Sequence, residues 1–174
     1  VFASCGIEFG AYAEYKCLPE DGVIALKPSN ISYEQAATVP IGGITALRFL
    51  KEANIQSGQN VLIYGASGSV GTYAVQLAKY FGADVTAVCS TINLDMVKSL
   101  GANQLIDYTR DDFTTHQDRY DIVFDAVSKL PRTKRKKALK PNGVFVSVSG
   151  STKEGETSKA YLLYLFPQKN SSFI

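Results

Sequence analysis

The chain has 174 residues, 45% of them hydrophobic and 20% charged, with a formal net charge of +2 at pH 7. That length suits one ordinary domain with some extra chain, and the composition is that of a soluble globular protein without low-complexity tracts. No apolar run is long enough to span a bilayer, and Cys5, Cys17 and Cys89, widely spaced and lacking a Cys-x-x-Cys, provide neither a disulfide framework nor a Cys-rich zinc site.

The first residues, Val1 to Gly6, carry no basic leader, so no signal peptide is expected. The missing initiator Met is read as a start inside a longer reading frame. Gly10–Leu18 and Val23–Leu26 read as two strands, and Pro28-Ser29-Asn30 breaks the chain. Ser32 is the expected N-cap of a helix beginning at Tyr33-Glu34-Gln35, and Pro40 precedes a second helical segment from Ile44 to Glu52. Residues 1–39 carry too little apolar surface to fold alone. They are expected to be the tail of a β-rich substrate or catalytic domain, with residues 40–174 forming a nucleotide-binding domain entered through a bridging helix.

Beyond residue 60 short apolar runs alternate with helical stretches. The runs are Val61–Tyr64, Val85–Cys89, Gln104–Ile106, Asp121–Phe124 and Gly143–Val148. Several are apolar throughout, as parallel strands covered on both faces are. Between the first two, Val70, Ala74, Leu77, Ala78 and Phe81 fall at helical spacing and Gly82 supplies the stop. Leu94 to Leu100 reads as another helix, Asp111–His116 as a short helix or a turn, and Arg132–Leu139 as a helix ended by Pro141-Asn142-Gly143. Strand–helix alternation predicts right-handed crossovers and an α/β doubly wound parallel sheet of the Rossmann type.

The decisive segment is Gly65-Ala66-Ser67-Gly68-Ser69-Val70-Gly71, between a predicted strand and a predicted helix. Small residues there let the backbone turn sharply and approach a pyrophosphate, while the helix N-terminus offers N–H groups and the positive end of its dipole. No Gly-Lys-Ser/Thr follows, which removes the Walker-type triphosphatase reading. The second strand ends Val88-Cys89-Ser90-Thr91-Ile92-Asn93, without the acid that an NAD site or a methyltransferase places on the ribose hydroxyls. That absence permits the 2′-phosphate of NADP(H), with Ser90, Thr91 and Asn93 as hydrogen-bond donors. NAD(H) stays open as the weaker alternative, because no arginine stands at the strand end to receive that phosphate.

With these segments in place the chain resembles the middle of a medium-chain dehydrogenase/reductase, of the zinc-independent quinone oxidoreductase-like branch. The resemblance rests on Gly10-Ala11-Tyr12-Ala13-Glu14-Tyr15, Val39-Pro40, Gly42 to Leu47, Gly65 to Ala78, Gly82 to Val85, Ser99 to Ala102 and Ile106-Asp107-Tyr108, and it fades after Gly150. It implies the NADPH-binding portion of an oxidoreductase that transfers hydride to quinones, enones or related carbonyl compounds. By the same resemblance Thr45 lies beside the nicotinamide, and Ala66, Ser67, Gly68, Ser69, Val70 and Gly71 hold the pyrophosphate. Ser90 and Tyr108 flank the adenosine 2′-phosphate, while Ala126, Val127, Ser149 and Gly150 approach the ribose and nicotinamide. Ser128 stands where the branch often has glycine, a departure expected to narrow the cleft. A homodimer formed through the edge of the sheet is also implied, as is an isolated fragment of weak activity.

Other residues draw attention without carrying chemistry. Tyr12 and Lys16 match a short-chain reductase spacing but precede the glycine loop. Cys89 is read as a packing thiol, and His116 as a surface residue too isolated to be a metal ligand. The run from Arg132 to Lys140 holds six of the eighteen basic residues and is read as a solvated helix face rather than a nucleic-acid site. No metal, nucleic-acid or membrane partner is therefore expected, and a reducing, cytoplasmic setting is. The alternatives are a non-catalytic redox-sensing module, a zinc-type alcohol dehydrogenase whose ligands lie outside this chain, and an interaction domain using the basic run.

Overall fold

In a computed structural model the described residues are 1–6, 10–115 and 119–148. The N-terminal part is thin. Strand β1 (Phe2–Ala3) pairs antiparallel with β2 (Ile24–Ala25), so the second expected strand is present and short. The strand expected over Gly10–Leu18 is absent. Tyr12 and Tyr15 there are fully exposed, and no neighbouring strand offers its backbone a ladder. An extended segment without a partner has nothing to hold it in a sheet.

Helix α1 (Tyr33–Thr38) begins at Ser32 with a reciprocal cap. The Gln35 N–H donates to Ser32 Oγ at 3.2 Å, and the Ser32 N–H donates to Gln35 Oε1 at 2.9 Å. The chain then passes through a π-helical turn, Val39–Gly43, directly into α2 (Ile44–Glu52). Pro40 explains the widened turn, because an α-helical proline has no N–H to give and its ring collides with the carbonyl four residues back. A residue-40 boundary thus falls inside a continuous helical stretch.

The remaining elements build one parallel sheet. They are β3 (Asn60–Tyr64), α3 (Ser69–Tyr80), β4 (Asp84–Cys89), α4 (Leu94–Ser99), β5 (Gln104–Asp107), β6 (Tyr120–Asp125), α5 (Arg132–Ala138) and β7 (Leu139–Ser147), with 3₁₀ turns at Thr91–Asn93 and Phe113–Thr115. The strand order is β5-β4-β3-β6-β7, and every neighbouring pair is parallel. Strand β7 starts earlier than its apolar run. Leu139 pairs with Tyr120 and Val144 with Ile122, so Pro141-Asn142-Gly143 bulges out of the ladder instead of preceding the strand.

The apolar runs are buried on both faces because helices cover both. Val61, Ile63, Val85, Ala87 and Phe124 point toward Phe49 and Leu50 of α2, Ala74 and Ala78 of α3, and Val97 of α4. Leu62, Val88 and Val123 point the other way, toward Phe113, Leu130 and Ala138 of α5. Each fully buried Val, Leu or Ile contributes roughly 1.5–3 kcal/mol against solvent exposure. The doubly wound α/β expectation therefore holds, and its strand reversal lies between β4 and β6, on either side of β3.

Candidate cofactor-binding site

Open α/β sheets take their ligands at the carboxyl ends of the strands where the order reverses. In this chain the loops after β3 and β6 meet there. Gly65, with φ +80, and Ala66 both donate their N–H groups to the Val88 carbonyl, at 3.1 and 3.0 Å, which ties the glycine loop to β4. The Gly68 N–H closes the loop on the Gly65 carbonyl at 3.1 Å.

Gly68 is the N-cap of α3 and brings no side chain to it. The first helical bond runs from the Thr72 N–H to the Gly68 carbonyl at 2.9 Å. The N–H groups of Ser69, Val70 and Gly71 consequently have no acceptor within the helix. Gly71 makes the close approach possible, since a Cβ at this position would stand 2.1 Å from the Gly65 carbonyl oxygen and 2.8 Å from Ala66 Cα. Only hydrogen fits there. The result is a tight turn that delivers three backbone donors and a helix dipole to one point, which is the chemistry a pyrophosphate requires. The loop fits that group.

The opposite wall is the segment after β6. Val127 lies over the loop, for a Cβ on Gly65 would stand 2.7 Å from Val127 Cγ1. This wall is shaped by Asp125, which is 1% exposed. Its Oδ1 accepts the Val127 N–H at 3.1 Å and its Oδ2 accepts the Leu130 N–H at 2.9 Å. Ser128 adopts φ +51, the left-handed conformation that favours glycine, and its Oγ lies 2.6 Å from Ser147 Oγ at the end of β7. Ala126 is half-buried; Ser149 and Gly150 lie outside the described residues.

Helix α2 approaches from the side of the π turn. Gly42 and Gly43 rest against the Tyr73 ring of α3, and a Cβ on Gly42 would stand 2.8 Å from Ser69 Oγ. Tyr73 Oη and Thr38 Oγ1 are 2.6 Å apart. Thr45, in the first turn of α2, is 4% exposed.

At the ends of β4 and β5 the expected polar residues cluster. The Asn93 amide donates to Ser90 Oγ at 3.1 Å, leaving the Ser90 proton without an acceptor among the described residues. The Thr91 hydroxyl donates to Asp107 Oδ2, so its proton is directed into the protein. Asp107 Oδ1 accepts from the Thr109 N–H at 2.9 Å and its hydroxyl at 2.7 Å. These hydroxyl bonds hold the buried Asp107 carboxyl below its ordinary range. The Tyr108 ring is exposed, and its N–H donates to the Cys89 carbonyl at 3.2 Å. Cys89 itself is 1% exposed and burial pushes its thiol up, as expected of a packing residue.

Sequence reading missed Asp125 and the Thr91–Asp107–Thr109 set as structural devices. Their signal is an acid closing an apolar strand, the position where a carboxylate can gather backbone donors from the next loop. His116 lies outside the described residues. Among those described, no three His, Cys, Asp or Glu side chains converge to hold a metal, so they do not fit a zinc ion. No described helix is long and apolar enough to cross a membrane. The basic helix α5 is tied to its own domain in part, with Lys134 Nζ 3.0 Å from Asp112 Oδ2 and the Arg135 guanidinium 4.3 Å from the Phe145 ring centre.

Comparison with known proteins places this architecture. A sequence model described as zinc-binding dehydrogenase matches residues 69–173. The chain is 40% identical over 146 residues to the 2-methylene-furan-3-one reductase of Solanum lycopersicum, covering 83% of this chain and 37% of that protein. It is 39% identical, over the same shares, to the NADPH-dependent alkenal/one oxidoreductase, chloroplastic, of Arabidopsis thaliana. The chain thus spans little more than a third of these relatives' length. A solved NAD-dependent alcohol dehydrogenase superposes with a TM-score of 0.74 at 30% identity, over 89% of this chain and 48% of that one. Quinone oxidoreductases are among the further sequence and structure matches. The chain belongs to the zinc-binding dehydrogenase family of the medium-chain dehydrogenase/reductase superfamily, as a quinone-oxidoreductase-like member.

Proposed function

We propose that this chain is the NADPH-binding portion of an oxidoreductase that transfers hydride from NADPH to enones, quinones or related carbonyl compounds. The observation that carries the reading is the contact of Gly71 with the Gly65 carbonyl, which aims the N–H groups of Ser69, Val70 and Gly71 at the strand reversal. The names of the tomato and Arabidopsis relatives support the substrate class, and the second supports NADPH.

When bound, the nicotinamide supplies the hydride. The protein's part is placement. Ala66 to Gly71 bind the pyrophosphate through backbone donors. Thr45, on the buried side of α2, orients the nicotinamide, and Ala126 and Val127 with Ser149 and Gly150 bound the ribose side. Ser90 donates to the 2′-phosphate beside Tyr108, within a rim completed by Thr91 and Asn93. NADP(H) is preferred to NAD(H) because β4 ends in Cys89-Ser90-Thr91 without the acid of an NAD site, and the acid at the end of β5, Asp107, is buried. Residues 1–39 belong to the substrate domain on this reading, the whole protein is a homodimer, and the fragment alone turns over weakly.

The setting proposed is cytoplasmic, supported by three cysteines that are all free thiols. A plastid is the competing setting, raised by the chloroplastic relative. The test is titration of the full-length protein with NADPH and NADH, followed by mixing with an α,β-unsaturated ketone and a quinone. Tenfold tighter NADPH binding, equivalent to about 1.4 kcal/mol, together with oxidation of NADPH by either acceptor, is the expected result. Binding without oxidation would instead favour a cofactor-sensing module.

A further inference from the structure

The corner assigned above to the adenosine 2′-phosphate offers hydrogen-bond donors, yet β4 ends without a cation. The structure supplies one from the next strand. Arg110 follows the end of β5 by three residues, and its N–H donates to the Asp107 carbonyl at 3.0 Å. This turn sets the Arg110 side chain back over the same carboxylate that Thr91 grips. Arg110 Nε lies 3.8 Å from Asp107 Oδ2, the oxygen that receives the Thr91 hydroxyl.

The two members of this ion pair are unlike. The Asp107 side chain is 6% exposed and the Arg110 side chain 73%. Asp107 already accepts from Thr91 and twice from Thr109, so three of its four lone-pair sites are occupied by protein donors. Buried, and with both oxygens bonded to protein donors, it does not present the two open oxygens that the acid of an NAD site offers a ribose diol. Arg110, beyond hydrogen-bond distance of the carboxylate, is held there by charge alone. Its planar fork of N–H donors has no hydrogen-bond acceptor among the described residues. Such a fork matches two oxygens of a phosphate.

We propose that Arg110 is the specificity-determining cation that receives the 2′-phosphate of NADP(H), with Asp107 as the buried anchor that holds it at the rim. The inference rests on the NADPH reading above and adds to it the residue that supplies the charge. Ser90, whose proton is unclaimed by the described residues, donates to the same phosphate from the β4 side. A phosphate then gains a guanidinium and a hydroxyl, whereas a bare 2′-hydroxyl leaves the guanidinium in water and gains little.

The experiment compares wild-type, R110A and R110K full-length protein by calorimetric titration with NADPH, NADH, 2′-AMP and 5′-AMP at two salt concentrations. Because Arg110 is exposed, both variants are expected to keep the wild-type circular dichroism spectrum. The expected result is at least tenfold weaker NADPH and 2′-AMP binding by R110A, with NADH and 5′-AMP changed less than twofold. R110K falls between, since an ammonium keeps the charge but not the fork. Added salt weakens NADPH binding more in the wild type than in R110A. An R110A variant that binds NADPH like the wild type overturns the inference, as does one that loses NADH equally. Equal wild-type affinities for NADPH and NADH overturn the cofactor reading itself, whatever the variants do.

Discussion

Gly71 faces the carbonyl oxygen of Gly65 so closely that a single methyl group would stand 2.1 Å from it. The neighbouring Gly68 has ordinary backbone angles and would bring a Cβ no nearer than 3.5 Å to that oxygen. One loop therefore contains a glycine required by space and another that space does not require. G71A is expected to cost about 1–3 kcal/mol through forced backbone displacement and to weaken dinucleotide binding. G68A is expected to keep wild-type stability within about 1 kcal/mol, the cost scale of an unstrained Gly-to-Ala exchange. Urea denaturation of both variants, with NADPH titration, checks the contrast; equal losses at the two positions would refute it.

Asp125 predicts a second contrast. D125A leaves the N–H groups of Val127 and Leu130 without their acceptor in a site that is almost wholly buried. Each unsatisfied donor costs about 1–3 kcal/mol, so a loss of several kcal/mol is expected. D125N keeps one carbonyl acceptor and is expected to lose less. Chemical denaturation ranks the three proteins, and a D125A as stable as D125N would show that the loop finds other acceptors.

How much of this was readable in advance depends on what kind of information set it. The five sheet strands were legible because each carries its own burial pattern, and so was the glycine loop. Ser32 was legible as a cap because its partner Gln35 is three residues away. Gly10–Leu18 was misread because a strand needs a neighbour that local alternation cannot reveal. The π turn, the bulge at Pro141-Asn142-Gly143 and the Arg110–Asp107 pair were hidden for a similar reason. Each depends on how two segments meet rather than on what one segment prefers.

Ser128 tests strain against bonding. Its left-handed backbone costs about 1–2 kcal/mol for a non-glycine residue, while the 2.6 Å contact with Ser147 Oγ returns about 0.5–1.5 kcal/mol. S128G removes both and is expected to lie within about 1 kcal/mol of the wild type. S128A keeps the strain and removes the bond, so it is expected to be the less stable of the two by thermal melting. The reverse order would mean that the left-handed turn carries no strain here.

Acid stability should depend on Asp112. Its carboxyl is lowered to about 2, first by the Thr114 N–H and then by the Lys134 ammonium and the Thr114 hydroxyl. A carboxyl lowered by folding contributes stability above its unfolded pKa, near 3.9, and loses it as pH falls through the folded value. D112A is therefore expected to be less stable than the wild type at neutral pH and to converge with it toward pH 2. The site is solvent-screened, so the gap is expected to be small. Urea midpoints between pH 7 and pH 2 measure it, and a gap that widens in acid would reverse the assignment.

The π turn has a consequence that concerns phase. Through it the Ile44 N–H reaches back five residues to the Val39 carbonyl instead of four. One surplus residue advances everything beyond it by about 100° around the helix axis. The inward faces of α1 and α2 are thus set like two cogs offset by one tooth, with Ala36 on the first and Thr45, Phe49 and Leu50 on the second all enclosed. A side-chain change at the exposed Ile41 leaves that offset alone, whereas deleting the residue rewinds the whole arm and turns Thr45 away from its seat. Spacing, more than identity, is what this stretch encodes.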